Sequence, residues 1–249
     1  LAACLLGTAC ATVWAEPTER PMPLSVLRQF AQHVEASTWS DTQKKVAGTL
    51  ISQDANDAGK RTQIISRVLS SEHTDFRKAL ALLGDEEVNA ALKLLQPLTT
   101  HADPYLAAHA LFYTARAHIM DDQYELALPI LQQLTEKYQD KTLYGADIAF
   151  MLGLAQGKTL QREAAVKTLT QFLKDYPEAP ERQVVGALHL LAEIERIRDG
   201  TLGDVQDRMG YSERRLTKED TGKPTQQHQE KIIAILDKLI KEAEAKENS

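Results

Sequence analysis

The chain has 249 residues, a formal charge of −6 and only 6 % aromatic side chains. That length supports one or two domains with a real core, and the acidic balance argues against a nucleic-acid partner, whose phosphates require a basic stripe. Ala, Leu, Gln, Glu and Lys are abundant, and these side chains lose little rotamer freedom in a helix.

The opening stretch, LAACLLGTACATVWA, holds fifteen apolar or small residues before Glu16, fewer than the ~20 that span a bilayer. It suits the apolar region of an export signal (residues 1–15), with Val13-Trp14-Ala15 supplying a cleavage site before Glu16. Two alternatives stand beside this reading. Leu1 to Cys4 resembles a bacterial lipobox, which would make Cys4 a lipid anchor, and the segment could instead be a buried N-terminal helix. Both cysteines, Cys4 and Cys10, lie here, so a chain cut after Ala15 has no disulfide, thiolate metal site or cysteine nucleophile.

From Pro23 onward the apolar spacing is helical, and no alternating run flanked by turns predicts a strand. In an N-terminal helical region (16–102), Leu24, Leu27, Ala31 and Val34 mark a first helix. Ser40 followed by Gln43 forms a capping box for a second, carrying Val46, Leu50 and Ile51. After the breaker QDANDAG, Ile64, Ile65, Val68 and Leu69 resume the stripe; short helices follow around Phe76–Leu83 and Glu86–Leu98, parted by Gly84-Asp85. Asp103-Pro104 is a helix start: Asp caps free N–H groups and Pro tolerates the first turn.

Beyond Asp103 the chain repeats. Ala107–Asp140 superposes on Gly145–Glu178 with an offset of 38 residues, placing Ala115 on Gly153, Tyr124 on Arg162, Ala127 on Ala165, Leu131 on Leu169 and Leu134 on Phe172. A helix–turn–helix unit recurring at this period predicts a solenoid whose units bury their apolar faces against their neighbours. On Leu152-Gly153, Ala165, Leu169, Phe172 and Pro177, the 103–200 region resembles the tetratricopeptide-repeat (TPR) family. Phe76–Leu98 looks like a degenerate earlier unit, and Pro180–Gly200 with Leu202–Leu216 a divergent later one. The resemblance implies an all-α, right-handed TPR-like solenoid of helical hairpins.

The repeat also disposes of a nucleotide. MLGLAQGKTL, Met151 to Leu160, approaches a phosphate loop, but only Leu154, Ala155 and Gln156 separate its first glycine from Gly157-Lys158, one residue too few, and it follows helical spacing. Gly153 is better read as a helix-contact residue and Gly157 as the turn within the unit. DTGKPT, Asp220 to Thr225, fails similarly because Pro224 replaces the hydroxyl residue.

Chemistry is otherwise sparse. The chain has no H-E-x-x-H or G-x-S-x-G motif, and His101, His109 and His118 are spaced too widely for adjacent turns of one helix; His118 is expected to be a packing residue. Asp85-Glu86-Glu87 and Asp121-Asp122 are read as carboxylates at helix starts, stabilised by the dipole. No metal, cofactor or catalytic residue is expected.

What the family resemblance implies instead is a concave binding face presented by the first helix of each unit. Here it would carry His109, Phe112, Arg116, Asp147, Phe150 and Leu154, suited to a protein or peptide partner. The Lys and Asn of the family's carboxylate clamp are absent from it. Phe112 and Phe150 either face that partner or pack between helices. At the C-terminus (201–249), Ile232, Leu236, Leu239 and Ala243 make a long amphipathic helix, expected to cap the last repeat, with dimerisation or docking as the alternative; the tail is similar to that of certain exported bacterial TPR proteins. FLKDYPEAP, Phe172 to Pro180, is similar to periplasmic TPR proteins of outer-membrane assembly and envelope constriction. The resulting expectation is a non-catalytic scaffold or adaptor in the periplasm or cell envelope, or else a lipid-anchored accessory subunit of such a complex.

Overall fold

The computed structural model describes residues 23–247, apart from the side chain of Ala58; the signal-peptide and Cys4 readings lie outside the described residues. Among these residues the regular structure is entirely helical. The α-helices are α1 (Pro23–Ala36), α2 (Asp41–Asp54), α3 (Ala58–Arg61), α4 (Ile64–Glu72), α5 (Thr74–Gly84), α6 (Val88–Leu95), α7 (Pro104–Met120), α8 (Tyr124–Lys137), α9 (Gly145–Lys158), α10 (Arg162–Asp175), α11 (Glu181–Arg196), α12 (Leu202–Thr217) and α13 (Lys223–Glu247).

Local chemistry sets the boundaries. The Ser40–Gln43 capping box closes in both directions at α2, and Asp103 accepts from the Tyr105 and Leu106 N–H groups with Pro104 in the first turn of α7. Helix α6 stops at Leu95 instead of continuing to Leu98 and passes into a 3₁₀ turn over Gln96–Thr100, because Pro97 has no N–H to extend the ladder.

The solenoid is built from antiparallel pairs α5/α6, α7/α8 and α9/α10, each packed on the next, with α11 added against α9 and α10. Its core is a relay of three apolar clusters instead of one centre: the first joins α1–α7, the second α7–α9, the third α9–α11. Such nearest-neighbour burial is what makes a repeat array stable. The 38-residue offset is visible at the close contacts. A Cβ on Gly153 would lie 2.5 Å from Leu169, so glycine lets α9 and α10 meet; one unit earlier Ala115 and Leu131 occupy the matching places and are fully buried.

The turns repeat as well. Glu86, Asp122 and Leu160 have φ of 61°, 54° and 61°. The following N–H groups of Glu87, Gln123 and Gln161 each donate five residues back, to the carbonyls of Leu82, His118 and Gln156, all at 2.8 Å. These are Schellman closures, spaced 36 and 38 residues apart, so α5/α6 is a full unit of the same geometry.

Three expectations change. Gly157 lies inside α9, where an added Cβ would press on Leu190 of α11 at 3.1 Å; the turn residue is Leu160. The acidic clusters do not cap: Glu87 makes no side-chain cap bond, and Asp121 and Asp122 close the end of α7, with Asp122 accepting from the Tyr124 hydroxyl at 2.9 Å. Finally, α12 does not join α11 as the second helix of a later unit. It pairs with α13 and reaches back along the turns of the two preceding units, leaving Val185 and Leu188 of α11 exposed. The C-terminal block therefore covers the turn edge of the array and not the outer face of α11.

Candidate partner-binding face

The first helices of the units, α5, α7, α9 and α11, bring homologous positions into rows. Phe76, Phe112 and Phe150 form one row, and Gly186 of α11 takes the fourth place. Each ring packs toward the next unit. Phe76 meets Tyr113 edge-on at 5.7 Å. Phe112 stacks flat on Tyr144, 4.0 Å between centroids. Phe150 lies against Phe172 and presses on the Gly186 backbone. This row is a packing seam. Phe112, expected as a candidate for an exposed contact, is only 2 % exposed, and Phe150 is half-buried.

His109 is also buried. Its Nδ1 bonds the Tyr105 carbonyl at 2.8 Å, its ring meets Tyr144 edge-on at 5.7 Å, and its Nε2 has no partner among the described residues. Burial pushes its pKa down to about 4, against smaller opposing effects of the Tyr105 carbonyl and the Asp103 charge. It serves as a neutral packing group. Asp147 is half-buried and accepts from Gln183 Nε2 of α11 at 2.8 Å; desolvation raises its pKa despite that bond. Its role in the structure is to tie α9 to α11.

The chain's own α4 covers part of this face. It packs on α5 and α7, burying Ile64, Ile65, Ser66, Val68 and Leu69. Ser66 Oγ lies 2.9 Å from the Tyr144 hydroxyl, which lies 2.9 Å from that of Tyr113. This closed trio of hydroxyls satisfies polar groups that burial would otherwise penalise, and desolvation raises the Tyr144 pKa.

The row one turn further along stays accessible. Leu80, Arg116 and Leu154 repeat at the same 36- and 38-residue spacing; Arg116 is exposed and the two leucines are half-buried. Beside Leu80 a cavity of about 390 Å³ opens between α2, α4, α5 and α7, lined by Leu50, Ser66, Arg67, Ser70, Arg77 and Tyr113 among others. Arg67 pairs with Asp54 and Arg77 donates to the Ser70 carbonyl at 3.1 Å. The surface thus offers apolar steps flanked by guanidinium and hydroxyl donors. Among the described residues no group of three His, Cys, Asp or Glu could hold a metal ion.

Of the six residues expected on the face, then, the structure places Arg116 in the open, keeps Phe150 and Leu154 half-open, and uses His109, Phe112 and Asp147 internally. Sequence reasoning missed a second polar centre at the turn edge. Arg162, which takes the place of Tyr124 one unit on, binds Asp204 at 2.7 Å and Asp207 at 2.9 Å from α12, and Asp199 at 2.7 Å. Farther along α12, the Arg214 guanidinium lies 5.2 Å from the centre of the Tyr124 ring and Arg215 pairs with Glu125 at 3.6 Å, and just past the end of the helix Lys218 reaches Asp121 at 2.6 Å. The visible clue was an arginine replacing an aromatic at a repeat position.

Stacked helical pairs with a small residue at each crossing define a helical-repeat scaffold. The tetratricopeptide-repeat family model matches residues 109–140 and 147–179, which coincide with α7/α8 and α9/α10; the chain carries two tetratricopeptide repeats. A comparison with curated proteins found no match. Among solved structures, the chain is similar to one described as "MamA RS-1 ArsTM double mutant", at 13 % identity and a TM-score of 0.34, over 88 % of this chain and 98 % of that one. Tetratricopeptide repeats support a scaffold for protein–protein interaction and are generally non-catalytic.

Proposed function

We propose that this protein is a non-catalytic adaptor of the bacterial cell envelope, exported by its N-terminal segment. It captures a partner polypeptide on the first-helix face along the row Leu80, Arg116 and Leu154, with Phe150 at its edge. The observation that carries this reading is the accessibility of that row while the parallel phenylalanine row is consumed as packing. Half-buried leucines offer apolar anchors, and Arg116, with Arg67 and Arg77 around the neighbouring cavity, favours a partner with acidic groups beside its apolar ones. Export is supported by the composition of residues 1–15.

Arg116→Glu with Leu154→Ala tests the assignment. Affinity capture from native envelope extracts with the wild-type chain, followed by binding measurements on the recovered partner, should show at least a tenfold loss with little change in helical content. Undiminished binding would overturn the site. The lipobox-like Leu1–Cys4 supports a second reading, an accessory subunit anchored through Cys4. Mass spectrometry of the mature N-terminus separates the two: a first residue of Glu16 removes the anchor, and a diacylglyceryl-Cys4 establishes it.

A further inference from the structure

The hairpin α12/α13 carries an apolar face that none of the described residues covers. Leu202, Met209 and Leu216 on α12, and Ile233 and Ile240 on α13, are 44–67 % exposed. On each helix they recur at intervals of seven residues. At 3.6 residues per turn, the α12 stripe lies about a quarter-turn to one side of its buried residues Asp204, Val205, Arg208, Tyr211 and Ser212. Asp207 and Arg214, which bind the repeats, lie about a quarter-turn to the other side. On α13 the exposed isoleucines are offset in the same sense from buried Ile235 and half-buried Ile232 and Leu239. The short connection between the helices, with Arg208 and Tyr211 both meeting His228, makes the pair antiparallel. Equal offsets on antiparallel helices put both stripes on one face, opposite the side that grips the repeats.

We propose that this face binds a second copy of the chain, two hairpins joining through a two-fold axis into a four-helix bundle. A seven-residue apolar repeat is the period that keeps a seam in register with a partner helix, and a surface bearing the seam on both its helices is self-complementary in the way an isologous dimer requires. Size agrees: the 16-residue α12 and the 25-residue α13, each presenting a strip about 10 Å wide, together cover on the order of 600 Å², within the ~600–1,000 Å² per partner of a stable interface. Charge agrees too. Residues 202–247 hold nine Lys and Arg and ten Asp and Glu, so two copies of an otherwise acidic chain meet at its nearly neutral end with little like-charge repulsion.

Sedimentation equilibrium of the full chain from about 1 to about 100 µM tests this, since mass action makes a dimer concentration-dependent. The wild type should approach twice the monomer mass. Met209→Glu with Ile233→Glu, two charges on a solvated face of the monomer, should raise the apparent Kd at least ~100-fold while circular dichroism stays unchanged. Val185→Glu with Leu188→Glu, on the exposed face of α11, should leave the dimer intact. A wild type that stays monomeric throughout overturns the proposal. So does a dimer that survives the hairpin substitutions or is lost only with the α11 pair. Binding of the monomeric wild type to anionic vesicles, lost in the hairpin variant, would assign the face to lipid instead.

Discussion

The two repeats and the C-terminal hairpin are both helical pairs, yet they are held by different forces. Between α7 and α11 cohesion comes from shape: Gly153 against Leu169, Gly157 against Leu190, Phe112 flat on Tyr144. The hairpin is fastened across those units largely by charge, through Arg162 with Asp204 and Asp207, Arg215 with Glu125, and Lys218 with Asp121. Apolar close packing tolerates little change in volume. Ion pairs at a partly wetted edge depend on pH and salt, and each contributes modestly unless it is buried. The array thus has a close-packed spine and a strap held largely by ion pairs.

The sharpest way to break the spine is Phe112→Ala. Removing a buried ring that stacks on Tyr144 should cost about 3–5 kcal/mol, seen as a large drop in the urea midpoint. A loss below about 1 kcal/mol would show that the ring is not core. Acid should act next. An unfolded His109 titrates near 6.5, whereas the folded one titrates at about 4. Its contribution is therefore complete above ~6.5 and is lost as pH falls toward 4, on the order of 3 kcal/mol. His109→Leu should flatten that part of the pH–stability curve, and an unchanged slope would contradict the assignment.

How much of this was legible follows from the same contrast. The 38-residue offset appeared in the sequence because close packing demands a particular residue size at a particular place: Ala115 and Gly153, Leu131 and Leu169, Leu134 and Phe172. Periodic constraint leaves periodic residues. What stayed hidden has no period. Nothing local to Phe112 announces that Tyr144 will stack on it, since that burial depends on chain more than thirty residues away. The turn at Leu160 was misassigned to Gly157 because glycine usually marks such turns, while here glycine was required by the approach of α11. Arg162 carries no local sign of its role, because the carboxylates it binds, Asp204 and Asp207, belong to a helix forty residues on.

The strap offers a finer test. Burial raises the Asp204 pKa, but bonds from the Gly200 N–H and Arg162 and the charge of Arg208 more than offset this, leaving it below the ordinary carboxylate range. Arg162→Met removes the central cation and leaves Asp204 with the Arg208 guanidinium, 3.0 Å away, and the Gly200 N–H. A loss of about 2 kcal/mol is expected, and it should fall unevenly. Amide exchange should rise through α12 and α13 while α7–α10 keep their protection. Equal loss of protection in both regions would mean that the hairpin is part of the spine.

The smallest expected effect compares the turns of the two regions. Glu86 closes a repeat unit at φ 61° and Glu219 ends α12 at φ 57°; both are exposed, so neither side chain is held there by packing. A side chain in the left-handed region costs about 1 kcal/mol, while glycine adds conformational entropy to the unfolded chain. The balance favours glycine by a few tenths to about 1 kcal/mol. Glu86→Gly lies within the cooperative array, so it should raise the melting temperature of the whole molecule by a few degrees. Glu219→Gly should instead slow exchange in α12 and α13 and leave the main transition where it was, because the energy stored at that turn belongs to the strap. A shift of the main transition by Glu219→Gly as large as that by Glu86→Gly would erase the distinction between spine and strap.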